Sequence, residues 1–257
     1  MTTTNRRGVL RAGAGTLVGG ALAAGCGTGR AAAPRAPERS PRPAAPTRAA
    51  PAPRPYPGLP AQITHGPRTR PQVALTFHGQ GDPALARTLL ATAERQGARL
   101  TVLAVGTWLD EHPELARRIL DGGHDLGNHT QRHIGINTLA EADARREITD
   151  CAERLDRLTG SIGTWFRPSR APAASPLVTR LARAAGYPHV LSYDVDSLDY
   201  TSPGATAVTR TVLAGVRGGS VVSLHFGYPD TVAALPDVLT ELGRRGLRAV
   251  TTTELLS

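Results

Sequence analysis

Lysine is missing from this 257-residue chain: all 30 basic residues are arginine, a bias that carries no functional reading of its own. Cysteine is nearly missing. Cys26 falls in an N-terminal leader and Cys151 then stands alone, which excludes an intramolecular disulfide in the remainder. Ile148, Cys151, Leu155 and Leu158 repeat at helical spacing, so the lone thiol is expected on a buried face, outside any chemistry. Long apolar runs are lacking too. Residues 12–25 form a weakly apolar run of 14, short of the roughly 20 that a helix needs to cross a bilayer. Acidic residues are almost absent from the first 72 positions, where eleven arginines face only Glu38 for a net +10. The whole chain is +9, so residues 73–257 come to −1, and the basic balance is a property of the tail. That excludes charge as an argument for nucleic-acid binding by the rest.

What the tail does contain is organised. Arg6 and Arg7 precede the apolar run in the manner of a twin-arginine export signal, and the run ends in small residues before Cys26. Leu22-Ala23-Ala24-Gly25-Cys26 resembles a lipobox, with Ala23 where that motif usually has leucine. Residues 1–26 are therefore read as a signal whose cysteine anchors the mature protein to the membrane. A simple cleaved signal peptide is the alternative, and either way the protein works outside the cytoplasm. Residues 27–72 follow as a linker rich in proline, alanine and arginine. It has too few large apolar side chains to offset its ordering entropy, so it is expected to be extended and disordered.

Residues 73–257 alternate strand-like and helix-like segments. Strands are expected at 73–77, 99–105, 124–127, 164–167, 189–193, 220–225 and 248–250, with helices at 83–96, 112–121, 141–158, 175–185, 205–216 and 232–245. Gly97, Gly122, Gly160, Gly186, Gly218 and Gly246 close the helices. Repeated βα units give a parallel sheet covered on both sides. About seven of them, with no glycine-rich dinucleotide fingerprint after the first strand, predict a distorted α/β (β/α) barrel as a single domain.

In such a barrel the chemistry lies where the strands end. His129 and His133, four apart directly after one strand, suit one face of a helical turn that grips a metal ion, although the spacing alone also fits two ordinary loop histidines. Arg167 ends another strand, His225 another, and Asp194, Asp196 and Asp199 follow a fifth. Convergence of His, His, Arg, Asp and His from four strand ends is the arrangement of a reactive site.

These residues resemble the polysaccharide deacetylases, the NodB-homology domains of carbohydrate esterase family four, over essentially all of residues 73–257. His129, Thr130 and His133 meet the family's H-[ST]-x-x-H motif. Arg167-Pro168 meets its R-P motif, with Ser169-Arg170-Ala171 for proline, tyrosine and glycine. Asp196 to Tyr200 match D-x-x-D-W with tyrosine for tryptophan, and Ser223-Leu224-His225 approximates L-x-H. The resemblance implies metal-assisted removal of acetyl groups from a glycan, with zinc as the expected cation and cobalt or nickel as substitutes. An amide needs a cation to polarise its carbonyl and acidify a water, a base for that water and an acid for the departing nitrogen. His129 and His133 would hold the metal and His225 would be the acid, oriented by Asp199. Arg167 would pair with the base, and a backbone N–H near Arg170 would bind the oxyanion. Tyr200 would border the substrate. For an exported domain the first substrate is peptidoglycan, with chitin-like oligomers or acetylated xylan as alternatives; few aromatics (Trp108, Trp165, Tyr193, Tyr200, Phe226, Tyr228) are available to stack on sugar rings.

One motif departs from the pattern. Where the family has T-F-D-D-G, whose aspartates are base and third metal ligand, this chain reads Thr76-Phe77-His78-Gly79, and the nearest carboxylate is Asp82. Three explanations stand. His78 joins the metal and Asp82 swings in as base; or Asp82 is the ligand and His78 the base; or the site has decayed and the protein binds glycan without cleaving it. A wall-associated scaffold whose stalk is the functional part is a further reading.

Overall fold

The structure is a computed structural model and describes residues 50–257. The leader with Arg6, Arg7 and Cys26 lies outside the described residues. Eight strands and eight α-helices follow in order: β1 Gln62–Ile63, β2 Gln72–Gly79, α1 Pro83–Arg95, β3 Thr101–Ala104, α2 Gly106–Glu111, α3 Glu114–Asp121, β4 Asp125–Asn128, α4 Glu141–Thr159, α5 Pro176–Ala184, β5 Val190–Leu191, β6 Val195–Asp196, α6 Ala205–Gly215, β7 Val221–His225, α7 Pro229–Arg244, β8 Arg248–Val250 and α8 Thr252–Leu255.

β2 is the axis of the sheet. It pairs in parallel with β3, β7 and β8, and β4 and β6 extend the order to β4-β3-β2-β7-β6. Phe166 bridges Asn128 on one side and Val190 on the other, β5 pairs with β1, and His65 bridges to Ser220 at the foot of β7. The ring so closed is the distorted (β/α) barrel expected. Strand alternation sorts its two faces. Val73, Leu75 and Phe77 point outward into the main core beneath the helices, whereas Ala74 packs inward with Leu103, Leu191, Val221 and Val250. His78 lies two residues beyond Thr76 on that inner face.

Residues 164–167 do not form a strand; only Phe166 bridges. Two strands went unexpected, β1 and β6, because two residues carry no readable periodicity.

The expected disorder of residues 27–72 fails for its described part. From Ala50 the chain packs under the barrel. Tyr56 stacks on Trp165 with ring centres 5.4 Å apart, and Ile63 is fully buried among Leu103, Leu191 and Val221. His189 pins this strap twice: its Nε2 accepts from the Tyr56 N–H at 2.9 Å and its Nδ1–H donates to the Pro60 carbonyl at 2.8 Å. A few well-placed apolar side chains suffice because proline has already reduced the conformational freedom to be lost.

Candidate metal centre

Parallel pairing places His78 of β2 directly beside His225 of β7, side chains on one face and ring centres 4.3 Å apart. His129 follows β4, and its ring lies 4.3 Å from that of His78 and 4.9 Å from that of His133. Ring nitrogens of His78, His129 and His133 fall within 4.8 Å of one another, so all three can reach one ion.

The 129–133 stretch is no helical turn, contrary to the expectation from its spacing. Thr130 and His133 adopt left-handed backbone angles (φ 70° and 55°), which non-glycine residues hold only when their surroundings fix them. Asn128 accepts from the Thr130 N–H through Oδ1, the Thr130 hydroxyl donates to Ser169 Oγ, and the N–H groups of Gly106 and Thr107 donate to the carbonyls of Thr130 and Gln131.

His129 carries the signature of a ligand. Its Nδ1 bonds the Arg167 carbonyl at 3.0 Å, which puts the proton on Nδ1 and leaves the Nε2 lone pair free. That Nε2 is buried without a hydrogen-bond partner among the described residues. Electrostatics agree with the donor set. Burial first, then the neighbouring imidazoles, holds His78 and His129 well below the usual imidazole range. Burial, with Arg170 and His225 adding to it, lowers His133 to about 4. Three buried, neutral imidazoles with ring nitrogens within 4.8 Å of one another form a donor set that suits zinc or a similar divalent cation, with His78 joining it by releasing its Nε2 from Arg167.

His78 has a second attachment. Arg167 is fully buried and donates to the carbonyls of Leu191 (3.1 Å) and Ser192 (2.9 Å), and its Nη1 lies 3.2 Å from His78 Nε2. No carboxylate forms an ion pair with Arg167 among the described residues, and burial lowers its pKa to about 9.

Asp82 is not brought to this cluster, which corrects its expected part as base or ligand. Its carboxylate caps α1, accepting from the Ala84 N–H at 2.7 Å, in an exposed position. The loop before it is closed: Trp108 Nε1 donates to the Gly81 carbonyl, and a Cβ on Gly81 would lie 2.6 Å from Gly227 Cα. Gly79 belongs to β2 and faces outward. A Cβ there would meet Val102 Cγ1 at 2.9 Å and Ala104 Cα at 3.1 Å, so strand alternation turns position 79 away from the histidines.

On the other side of the site, His225 is fixed by a buried carboxylate. Asp199, fully buried, accepts from His225 Nδ1 at 2.7 Å, from the His225 N–H at 2.8 Å and from the Thr231 hydroxyl at 2.6 Å. His225 therefore presents Nε2 to a cavity of about 390 Å³ that it shares with His78, Gln80, His133, Arg170, Tyr193, Asp196, Tyr200 and Tyr228. Trp108, Trp165 and Phe226 are core residues, which leaves three tyrosines of the expected aromatics at the cavity. Cys151 is buried as expected, its thiol against the Ala104 carbonyl, and burial raises its pKa. Sequence reasoning missed Gln80 and Ser223 as cavity lining, and no spacing signal marks them.

Residues 65–190 match the family model of polysaccharide deacetylase. The chain is 30% identical over 194 residues to a peptidoglycan-N-acetylglucosamine deacetylase of Bacillus cereus, covering 74% of this chain and 90% of that one. It is 28% identical over 188 residues to the peptidoglycan-N-acetylglucosamine deacetylase PgdA of Listeria monocytogenes, covering 73% of this chain and 39% of that longer one. Among solved structures it resembles a mutant of BA3943, a CE4 family pseudoenzyme of Bacillus anthracis, with restored enzymatic activity. The TM-score is 0.72 at 25% identity, covering 77% of this chain and 72% of that one. With the barrel, the paired histidines and the Asp199–His225 couple in place, the chain belongs to the polysaccharide deacetylase family.

Proposed function

We propose that this protein is an exported, membrane-anchored and metal-dependent deacetylase that removes N-acetyl groups from a cell-wall glycan, peptidoglycan first. The observation that carries the reading is the convergence of His78, His129 and His133 within 4.8 Å, beside a His225 oriented by Asp199, at one open cavity. A divalent cation bound there supplies Lewis acidity to the acetyl carbonyl and lowers the pKa of a water. The chain's own residues do the rest. His225, its Nδ1–H fixed on Asp199, takes the attacking water's proton at Nε2 and passes it to the departing amine as the C–N bond breaks. Arg167 fixes the orientation of His129 through its carbonyl and of His78 through its guanidinium. Tyr193, Tyr200 and Tyr228 border the sugar, and the backbone N–H at Arg170 is the oxyanion donor. Export and the Cys26 anchor rest on the sequence of residues 1–26; no described helix is long and apolar enough to cross a membrane.

A second reading is favoured by one specific observation. Arg167 faces an imidazole where the family pattern has a carboxylate, and Asp82 caps a helix instead of supplying one. On this reading the protein binds metal and glycan and hydrolyses little; BA3943, whose fold it shares, is itself a CE4 family pseudoenzyme. Acetate release from peptidoglycan and from N-acetylglucosamine oligomers, with and without chelator and in His129→Ala, decides between them. Release that chelator and substitution both abolish supports the enzyme. Undiminished glycan binding with no release by the metal-loaded protein supports the binder.

A further inference from the structure

The histidine turn is held from behind by a residue that belongs to no motif. Glu147, on α4, is 1% exposed, an unusual burial for a carboxylate. Its hydrogen bonds go to the turn that carries the two motif histidines. Oε2 accepts from the Arg132 N–H at 2.8 Å, Oε1 accepts from Arg132 Nε at 2.6 Å, and the Glu147 carbonyl accepts from the Gln131 N–H at 2.9 Å. The residues so gripped lie between Thr130 and His133, the two left-handed positions of the turn. A single residue thus satisfies two consecutive backbone N–H groups, that of Arg132 through its buried carboxylate and that of Gln131 through its main-chain carbonyl, and takes one guanidinium N–H as well, in a segment whose backbone is unfavourable by itself.

We infer that Glu147 is a positioning residue for metal binding: it sets the separation of His129 and His133 before an ion arrives. The inference rests on the metal-centre reading above. Arg132 is 57% exposed on its side chain, so the guanidinium contributes little, and the bond to the Arg132 backbone N–H is the one that shapes the turn. Outer groups that orient metal ligands typically account for 10–100-fold in affinity.

The test uses the full chain with cobalt(II), whose visible absorption reports ligand number and geometry. Glu147→Asp draws the carboxylate one methylene back from the turn while keeping its charge, and Glu147→Gln keeps the shape while removing the charge. Arg132→Ala removes only the guanidinium. Cobalt affinity is expected to fall about 10–100-fold in Glu147→Asp and Glu147→Gln, with an altered visible band, and to change less than about threefold in Arg132→Ala. Far-ultraviolet dichroism of each metal-free variant verifies that the barrel is folded. Wild-type affinity and an unchanged band in both folded Glu147 variants overturn the inference. A wild-type protein that takes up no cobalt overturns the metal-centre reading itself and is told apart by that.

Discussion

Arg167 Nη1 lies 3.2 Å from His78 Nε2. A guanidinium can only donate, so His78 Nε2 accepts and a neutral His78 carries its proton on Nδ1. Among the described residues the buried cation has an imidazole lone pair for a neighbour and no carboxylate in ion-pair contact.

Restoring the anion at position 78 is therefore expected to raise activity. His78→Asp puts a carboxylate on the inner face toward Arg167, where it serves as base, and removes one of the three proposed ligands; metal affinity should fall, and acetate release measured at saturating metal should rise by roughly 10²–10⁴-fold over wild type. Gly79→Asp should not do so. Its side chain would be driven into Val102 and Ala104, and the measurable result is a lower melting temperature without gain of activity.

Loss of the Asp199 carboxylate should separate rate from binding. Asp199→Asn keeps the volume but leaves His225 Nδ1 with a poorer partner. The expected outcome is a fall in kcat of about 10²-fold or more with KM little changed, measured in steady-state kinetics on N-acetylglucosamine oligomers.

Acid should destabilise the metal-free protein through its histidines. His78, His129 and His133 have folded-state pKa values below those of the unfolded chain, so the unfolded state takes up protons first as pH falls. Their contribution is complete above about pH 6.5 and is lost progressively below it, with His133 ceasing to add to the loss near its own value of about 4. Thermal unfolding followed from pH 7.5 to 4.5 should show this decline, and His129→Ala should show a shallower one.

Removing the strap should weaken the fold. A chain beginning at residue 73 lacks β1 and exposes Trp165, Leu191 and Val221 where Tyr56 and Ile63 covered them. Burial of those two side chains alone is worth about 3–6 kcal/mol as an upper estimate. Denaturant unfolding of chains beginning at 50 and at 73 should differ by a substantial part of that.

His78, His129 and His225 were legible because each sits at or next to a strand end, and Arg167 because it follows the bridging residue Phe166. Thr76, Phe77 and the apolar pattern before them fix β2, and its inner face delivers His78 without further information. Asp82 was misjudged although its signature was present: Asp82 before Pro83 at the start of an apolar helical pattern is an N-cap. Proximity to His78 in sequence says nothing of direction, and the cap sets the direction. Glu147 gave no signal, since its partners lie 15 residues away on a turn whose left-handed residues are not glycines. The strap was hidden for a different reason. Composition averages over residues 27–72, whereas packing needs only Tyr56 and Ile63 in the right places.

The strap also leaves the mouth of the barrel clear. Ala50 donates its N–H to Thr159 at the end of α4 and His65 bridges Ser220 at the foot of β7, so the strap is fastened at both ends near the pole opposite the strand ends that carry His78, His129 and His225. None of residues 50–65 lines the cavity that His78, His133 and His225 share, so the floor is fastened and the opening is left to the loops that follow the strands.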